Sequence, residues 1–145
     1  MALAYVLDTN VVIAAVGSDQ GASRQFLLGA LKGRFEILLS VALMLEYEAV
    51  LTRPEHLAAS GLNSRDVGHI LDDLAAVGRL VRLAFRWRPT LQDAADHMVL
   101  ETAVNGGAGA IVTFNQRDFL RGVQGFACRL ITPAAALQEL RRTSL

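Results

Sequence analysis

Residues 3–16 read L-A-Y-V-L-D-T-N-V-V-I-A-A-V. Residues 3–7 form a short apolar run of the kind that fills a strand buried on both faces. Asp8 follows at once, and apolar residues resume over 10–16 in a helical stretch. A buried strand running through a tight turn into a helix is the opening unit of a parallel sheet.

Downstream, short apolar runs at 35–39, 80–83, 110–113 and 128–131 are the further strand candidates. Helical stretches alternate with them. One runs over 20–32 and is stopped by Gly33. The next runs from a Ser40 cap to about 51 and is broken at Arg53-Pro54. Asn63 and Asp66 have capping-box spacing and open a helix to 77, which Gly78 ends. A helical pattern over 93–105 stops at Gly106-Gly107. Thr132-Pro133 places a cap and a first-turn proline before the last helix, to about 142. Strands alternating with helices predict an α/β fold whose central, mostly parallel sheet of four to five strands is covered on both faces. In such sheets the ligand crevice lies beyond the carboxyl ends of the strands.

The 145 residues carry no repeat, low-complexity tract or Pro/Gly/Ser linker, so residues 1–145 are expected to form one domain, with 52% hydrophobic content to fill its core. Fourteen Lys+Arg balance fourteen Asp+Glu. That neutrality argues against a disordered chain, an acidic tail or a broadly basic nucleic-acid binder, though not against a local phosphate groove. No apolar run approaches the ~18 residues needed to cross a bilayer. The N-terminus has no basic stretch ahead of its apolar run, so no signal peptide and no membrane association are expected. A single cysteine, Cys128, in a strand-like run suits a buried thiol in the cytoplasm.

The acids fall in a pattern. Asp8 ends the first strand, and Asp118 lies shortly after the fourth, with Asn115 between. Asp93 and Asp96 are one helical turn apart and share a face at the start of their helix. Glu46 interrupts the apolar helix V-A-L-M-L-E-Y-E-A-V-L, whereas Glu48 is expected on its exposed side. Asp93 and Asp96 would also complement the positive end of a helix dipole, and Asp118 would also cap a turn. Asp8 is harder to account for in that way. A carboxylate at the end of a buried strand is costly unless partnered, and the only lysine is Lys32. Carboxylates converging on one crevice repel one another, and a hard divalent cation removes the conflict. Oxygen-only ligands suit Mg²⁺ or Mn²⁺; His56, His69 and His97 have no zinc-ligand spacing.

The stretches V-L-D-T-N-V-V-I-A-A, S-V-A-L-M-L-E-Y-E-A-V-L, D-A-A-D-H-M-V-L-E-T-A and A-I-V-T-F-N-Q-R-D-F together resemble the successive motifs of a PIN domain, in particular bacterial PIN proteins of the toxin–antitoxin type. The resemblance spans nearly the whole chain. It implies a three-layer α/β/α sandwich and a metal-dependent endoribonuclease that hydrolyses RNA phosphodiester bonds. Carried over by position, Asp8, Glu46, Asp96 and Asp118 form the catalytic set, with Asp8, Asp96 and Asp118 as metal ligands. Asn10, Asp93, Thr113 and Asn115 take supporting positions. Where many relatives have an aspartate this chain has Asn115, which brings no charge. The resemblance further implies an RNA substrate, a small antitoxin partner and a homodimer, for which residues 22–31 and 43–51 offer apolar surface.

Arg117 and Arg121, close to the fourth motif, are candidates for contact with RNA phosphates. Arg79, Arg82, Arg86 and Arg88 with Trp87 could hold a backbone and stack a base, or simply flank a strand. Two alternatives remain in view. A haloacid-dehalogenase-like phosphatase also has an aspartate after its first strand, but expects a second acid where this chain has Asn10. A catalytically weak or inactive PIN-fold module that binds RNA or protein is kept open by Asn115.

Overall fold

The computed structural model describes residues 4–17, 21–83 and 94–143. Its strands are β1 (Ala4–Leu7), β2 (Glu36–Leu39), β3 (Arg79–Leu80), β4 (Ala110–Val112) and β5 (Arg129–Ile131). The helices are α1 (Thr9–Gly17), α2 (Ala22–Leu31), α3 (Val41–Leu51), α4 (Pro54–Ser60), α5 (Ser64–Val77), α6 (Ala94–Gly106) and α7 (Pro133–Thr143), with a 3-10 turn at Gln116–Phe119. The strands form one five-stranded sheet in the order β3-β2-β1-β4-β5, and every pairing is parallel. This is the expected α/β/α architecture, at the upper end of the expected strand number.

The order locates the crevice. From β1 the chain goes outward to β2 and β3, then returns to the other side of β1 to lay down β4 and β5. The two halves part between β1 and β4, where adjacent strands lead away in opposite directions. Leu7 pairs with Val112, so the carboxyl ends of both strands reach the same level. Asp8 and Thr113 are the next residues on each.

Local sequence explains most of the elements. Tyr5, Val6 and Leu7 are fully buried, as a strand covered on both faces requires. In α5, Val67, Leu71 and Leu74 recur at helical spacing and are buried, while the capping box predicted at Asn63 and Asp66 is formed in both directions. Ser40 Oγ accepts the Leu43 amide at the start of α3, and Thr132 Oγ1 accepts the Ala135 amide at the start of α7. Gly33 and Gly107 sit just past α2 and α6 with φ of 73° and 65°, a left-handed conformation open to glycine at little cost.

Three expectations shift. The third strand is Arg79–Leu80 rather than 80–83: the Val81 amide still bonds the Leu39 carbonyl, and the chain then leaves the sheet. Pro54 does more than break a helix, since it occupies the first turn of α4, an extra helix whose polar, short sequence carries little periodicity. Cys128 lies just before β5 and is half-buried; burial pushes its thiol up to about 11. Arg79 pairs with Glu36 and donates to the Gly106 carbonyl at 2.9 Å, which makes it a structural tie. Arg82 is exposed, and Arg86, Trp87 and Arg88 lie outside the described residues.

The core on one side of the sheet is centred on three rings. Tyr5 meets Phe26 of α2 edge-on at 5.1 Å and Phe35 at 5.2 Å, and Phe26 stacks on Phe35 at 4.3 Å. The Tyr5 hydroxyl donates to Glu139 of α7 at 3.0 Å, and Glu139 is paired in turn with Arg129 of β5. Helix α6 packs against β1, β2 and β4. Among the described residues no helix is long and apolar enough to cross a membrane.

Candidate active site

The first acid is set by the strand end. Asp8 follows β1, is only 4% exposed, and its amide bonds the Val112 carbonyl at 2.9 Å. Its carbonyl accepts the amides of Val11 and Val12, so Asp8 closes the sheet and opens α1 at once. The Thr113 hydroxyl donates to Asp8 Oδ2 at 2.7 Å, across the point where the sheet divides. Thr113 Oγ1 also accepts the Asn115 amide at 2.9 Å, which turns the chain after β4. A buried threonine thereby fixes the carboxylate.

Replacing Thr113 by valine keeps the shape and removes the hydroxyl. Loss of a hydrogen bond to a buried charged group is expected to lower stability by about 1–3 kcal/mol. Urea unfolding of the variant beside the parent chain measures it.

The second acid is positioned by a tyrosine. Glu46 lies on α3 next to Tyr47, which is fully buried and donates its hydroxyl to the Leu7 carbonyl, one residue before Asp8. Burial, and then the Asp8 carboxylate nearby, push the Tyr47 phenol well above its usual range, so it remains a hydroxyl and a donor. This anchor sets the register of α3 against the end of β1. Ser40 Oγ and Thr102 Oγ1, 2.8 Å apart, join α3 to α6. Asp96, in the first turn of α6, is the third acid.

These acids share one cleft. Asp8, Thr9, Asn10 and Ile13 of α1 and its turn, Glu46, Val50 and Arg53 along α3 and its end, His56 of α4, and Ala95 and Asp96 of α6 line a space of about 330 Å³. Glu46 and Val50 are one turn apart on α3 and share a side of that helix, while Arg53 lies past its end, in extended backbone before Pro54. Glu46, Asp96 and His56 are half-buried, while Asn10 and Arg53 are exposed. Thr9 Oγ1 is buried and has no hydrogen-bond partner among the described residues.

The other expected residues stand elsewhere. Asn115 and Asp118 belong to the exposed 3-10 turn after β4, whose buried Phe119 anchors it, and neither lines the cleft. Arg117 and Arg121 are exposed on or just after that turn and do not line it either. Asp93 lies outside the described residues. Of the cleft residues absent from the sequence-based set, Arg53 and His56 are the two with basic side chains. Arg53 falls at the helix break and His56 just beyond it, so helical spacing from Glu46 reached neither.

The cleft's acidic donors are all oxygen, the set a hard divalent cation prefers to zinc. Among the described residues no group of three or more His, Cys, Asp and Glu side chains is arranged to hold a metal ion by itself. Mg²⁺ commonly keeps several waters and takes only one or two carboxylates, together with substrate phosphate oxygens. The donor chemistry therefore fits a hydrated cation.

A family model described as a PIN domain matches residues 4–117. Asp8, Glu46 and Asp96 fall inside the matched segment, and Asp118 lies just past its end. Neither the search of curated proteins nor that of solved structures returned a match. PIN domains are in general nucleases that use divalent metals. On the extent of that match, and with the five-stranded parallel sheet behind it, this chain belongs to the PIN domain family.

Proposed function

We propose that this chain is a Mg²⁺- or Mn²⁺-dependent endoribonuclease that hydrolyses phosphodiester bonds in single-stranded or structured RNA. The observation that carries the reading is the meeting of Asp8, Glu46 and Asp96, from three separate segments, in one cleft at the carboxyl edge of the sheet. Asp8 and Asp96 would hold the cation, and Glu46 would hold it or orient the attacking water. When bound, such an ion activates water and stabilises the leaving oxygen. Thr113 holds Asp8 in place, and Asn10 sits at the cleft mouth. Asp118 is the outer acid of the set, with Asn115 and Asp93 in support. Its exposed position leads us to expect a smaller loss from its removal than from removal of Asp8.

The same reading makes the chain the toxin of a toxin–antitoxin pair acting in the cytoplasm, held by a small antitoxin and working as a homodimer. Val41 and Leu45, one turn apart on the helix that carries Glu46, are 63% and 61% exposed and offer an apolar contact to a protein partner. The second reading, an RNA- or protein-binding module without turnover, is favoured by Asn115, an uncharged side chain where the motif calls for an acid.

Chelation separates the two readings. Cleavage of labelled RNA is expected to stop in EDTA and to return when Mg²⁺ or Mn²⁺ is added in excess. RNA that is bound but never cut, with either metal, would leave the binding module as the function.

A further inference from the structure

The acidic cleft carries a cationic rim that the set of motif acids does not include. Arg53 follows the end of α3 and His56 lies in the first turn of α4, and both line the cleft that contains Asp8, Glu46 and Asp96. Among the described residues the Arg53 guanidinium makes no ion pair or side-chain hydrogen bond, although it shares the cleft with carboxylates. It contrasts with Arg79 and Arg129, whose charges are used inside the fold on Glu36 and Glu139. His56 is held from the other side: its Nδ1 lies 2.7 Å from the Val50 carbonyl oxygen. A carbonyl only accepts, so Nδ1 donates to it, and Nε2, the nitrogen not engaged with Val50, donates to a phosphate oxygen when the ring carries both protons. Val50 itself lines the cleft, so its carbonyl ties the imidazole to the end of α3, in the same cleft as the guanidinium.

We propose that Arg53 and His56 form the phosphate-binding rim of this cleft and hold the backbone of a single-stranded RNA next to the bond that is cut. The inference rests on the nuclease reading and adds the residues that grip the substrate. A cleft lined by carboxylates repels a polyanion, and a planar guanidinium with several donors is the side chain best matched to phosphate oxygens. Arg53 and His56 stand at the α3–α4 corner, whereas Arg117 and Arg121 lie on the turn after β4 and outside the cleft lining. RNA gripped at the corner runs past α3 and α4.

The test uses the full chain carrying Asp8→Asn, in which cutting is slow enough for binding to be read first. Binding of a fluorescein-labelled single-stranded RNA is followed by anisotropy over a salt series with Mg²⁺ present, and each variant's melting temperature is recorded. Adding Arg53→Ala is expected to weaken binding and to lower the slope of log affinity against log salt by about 0.7, the value for one phosphate contact on a single strand. Arg53→Lys is expected to restore the slope, and His56→Ala to weaken binding without unfolding the chain. Arg117→Ala and Arg121→Ala are expected to leave the slope unchanged. Affinity and slope that are indifferent to Arg53 and His56 overturn this inference alone. A background protein that binds no RNA at any salt concentration overturns the nuclease reading and the rim with it.

Discussion

Changing Asp8 to asparagine is expected to lower RNA cleavage by about 10²–10³-fold, the range found when one pre-organised electrostatic contact to a reacting group is removed. The substitution is nearly isosteric. The amide oxygen that it introduces can still accept the Thr113 hydroxyl, which Asp8 Oδ2 accepts now at 2.7 Å. The backbone bonds that Asp8 makes to Val112, Val11 and Val12 do not involve its side chain. Folding should therefore survive, and the missing quantity is the negative charge that a hard cation needs at the edge of the sheet. Single-turnover cleavage at saturating Mg²⁺, beside a thermal melt of both proteins, is the decisive measurement. A variant that melts like the parent and cuts RNA at the parental rate would remove Asp8 from the catalytic set.

Truncating Phe26 to alanine is expected to cost about 3–5 kcal/mol of folding free energy. The ring is completely buried and touches both Tyr5 and Phe35, so its removal opens a cavity between β1, α2 and the strand leading into β2. Backbone elements on three sides prevent that space from closing, which is the condition for a large loss. For a chain of this size the melting temperature should fall by about 10 °C or more. None of the three rings lines the cleft, so any folded fraction at low temperature should keep its cleavage rate per folded molecule. A melting temperature within a degree or two of the parent would show that the three-ring cluster is not the packing centre of its side of the sheet.

The candidate site was legible to unequal depth. Asp8 could be located from its neighbours, because an acid directly after a buried strand is constrained by the strand itself. Glu46 and Asp96 were singled out by the resemblance to the PIN motifs, and the structure brings both to the cleft of Asp8. Asp118, Arg117 and Arg121 come soon after β4, as Asp8 does after β1, yet they occupy an exposed turn and its flank. Distance along the chain from a strand end does not say towards which flank a loop leans. Helix α4 passed unnoticed because Arg53-Pro54 reads locally as an end, and proline is equally at home in a first helical turn.

The sequence by itself determined the α/β class and the parallel pairing implied by alternating strands and helices. Those follow from local preferences: apolar runs, helical spacing and capping residues act over a few positions. Only the tertiary structure decided the strand order, the corner that brings Arg53 and His56 to the acids, and the tie from Tyr47 to the Leu7 carbonyl that sets Glu46 against Asp8. Which faces meet depends on packing between segments far apart in the chain, where the ordering cost of each contact is offset by the burial of many others at once.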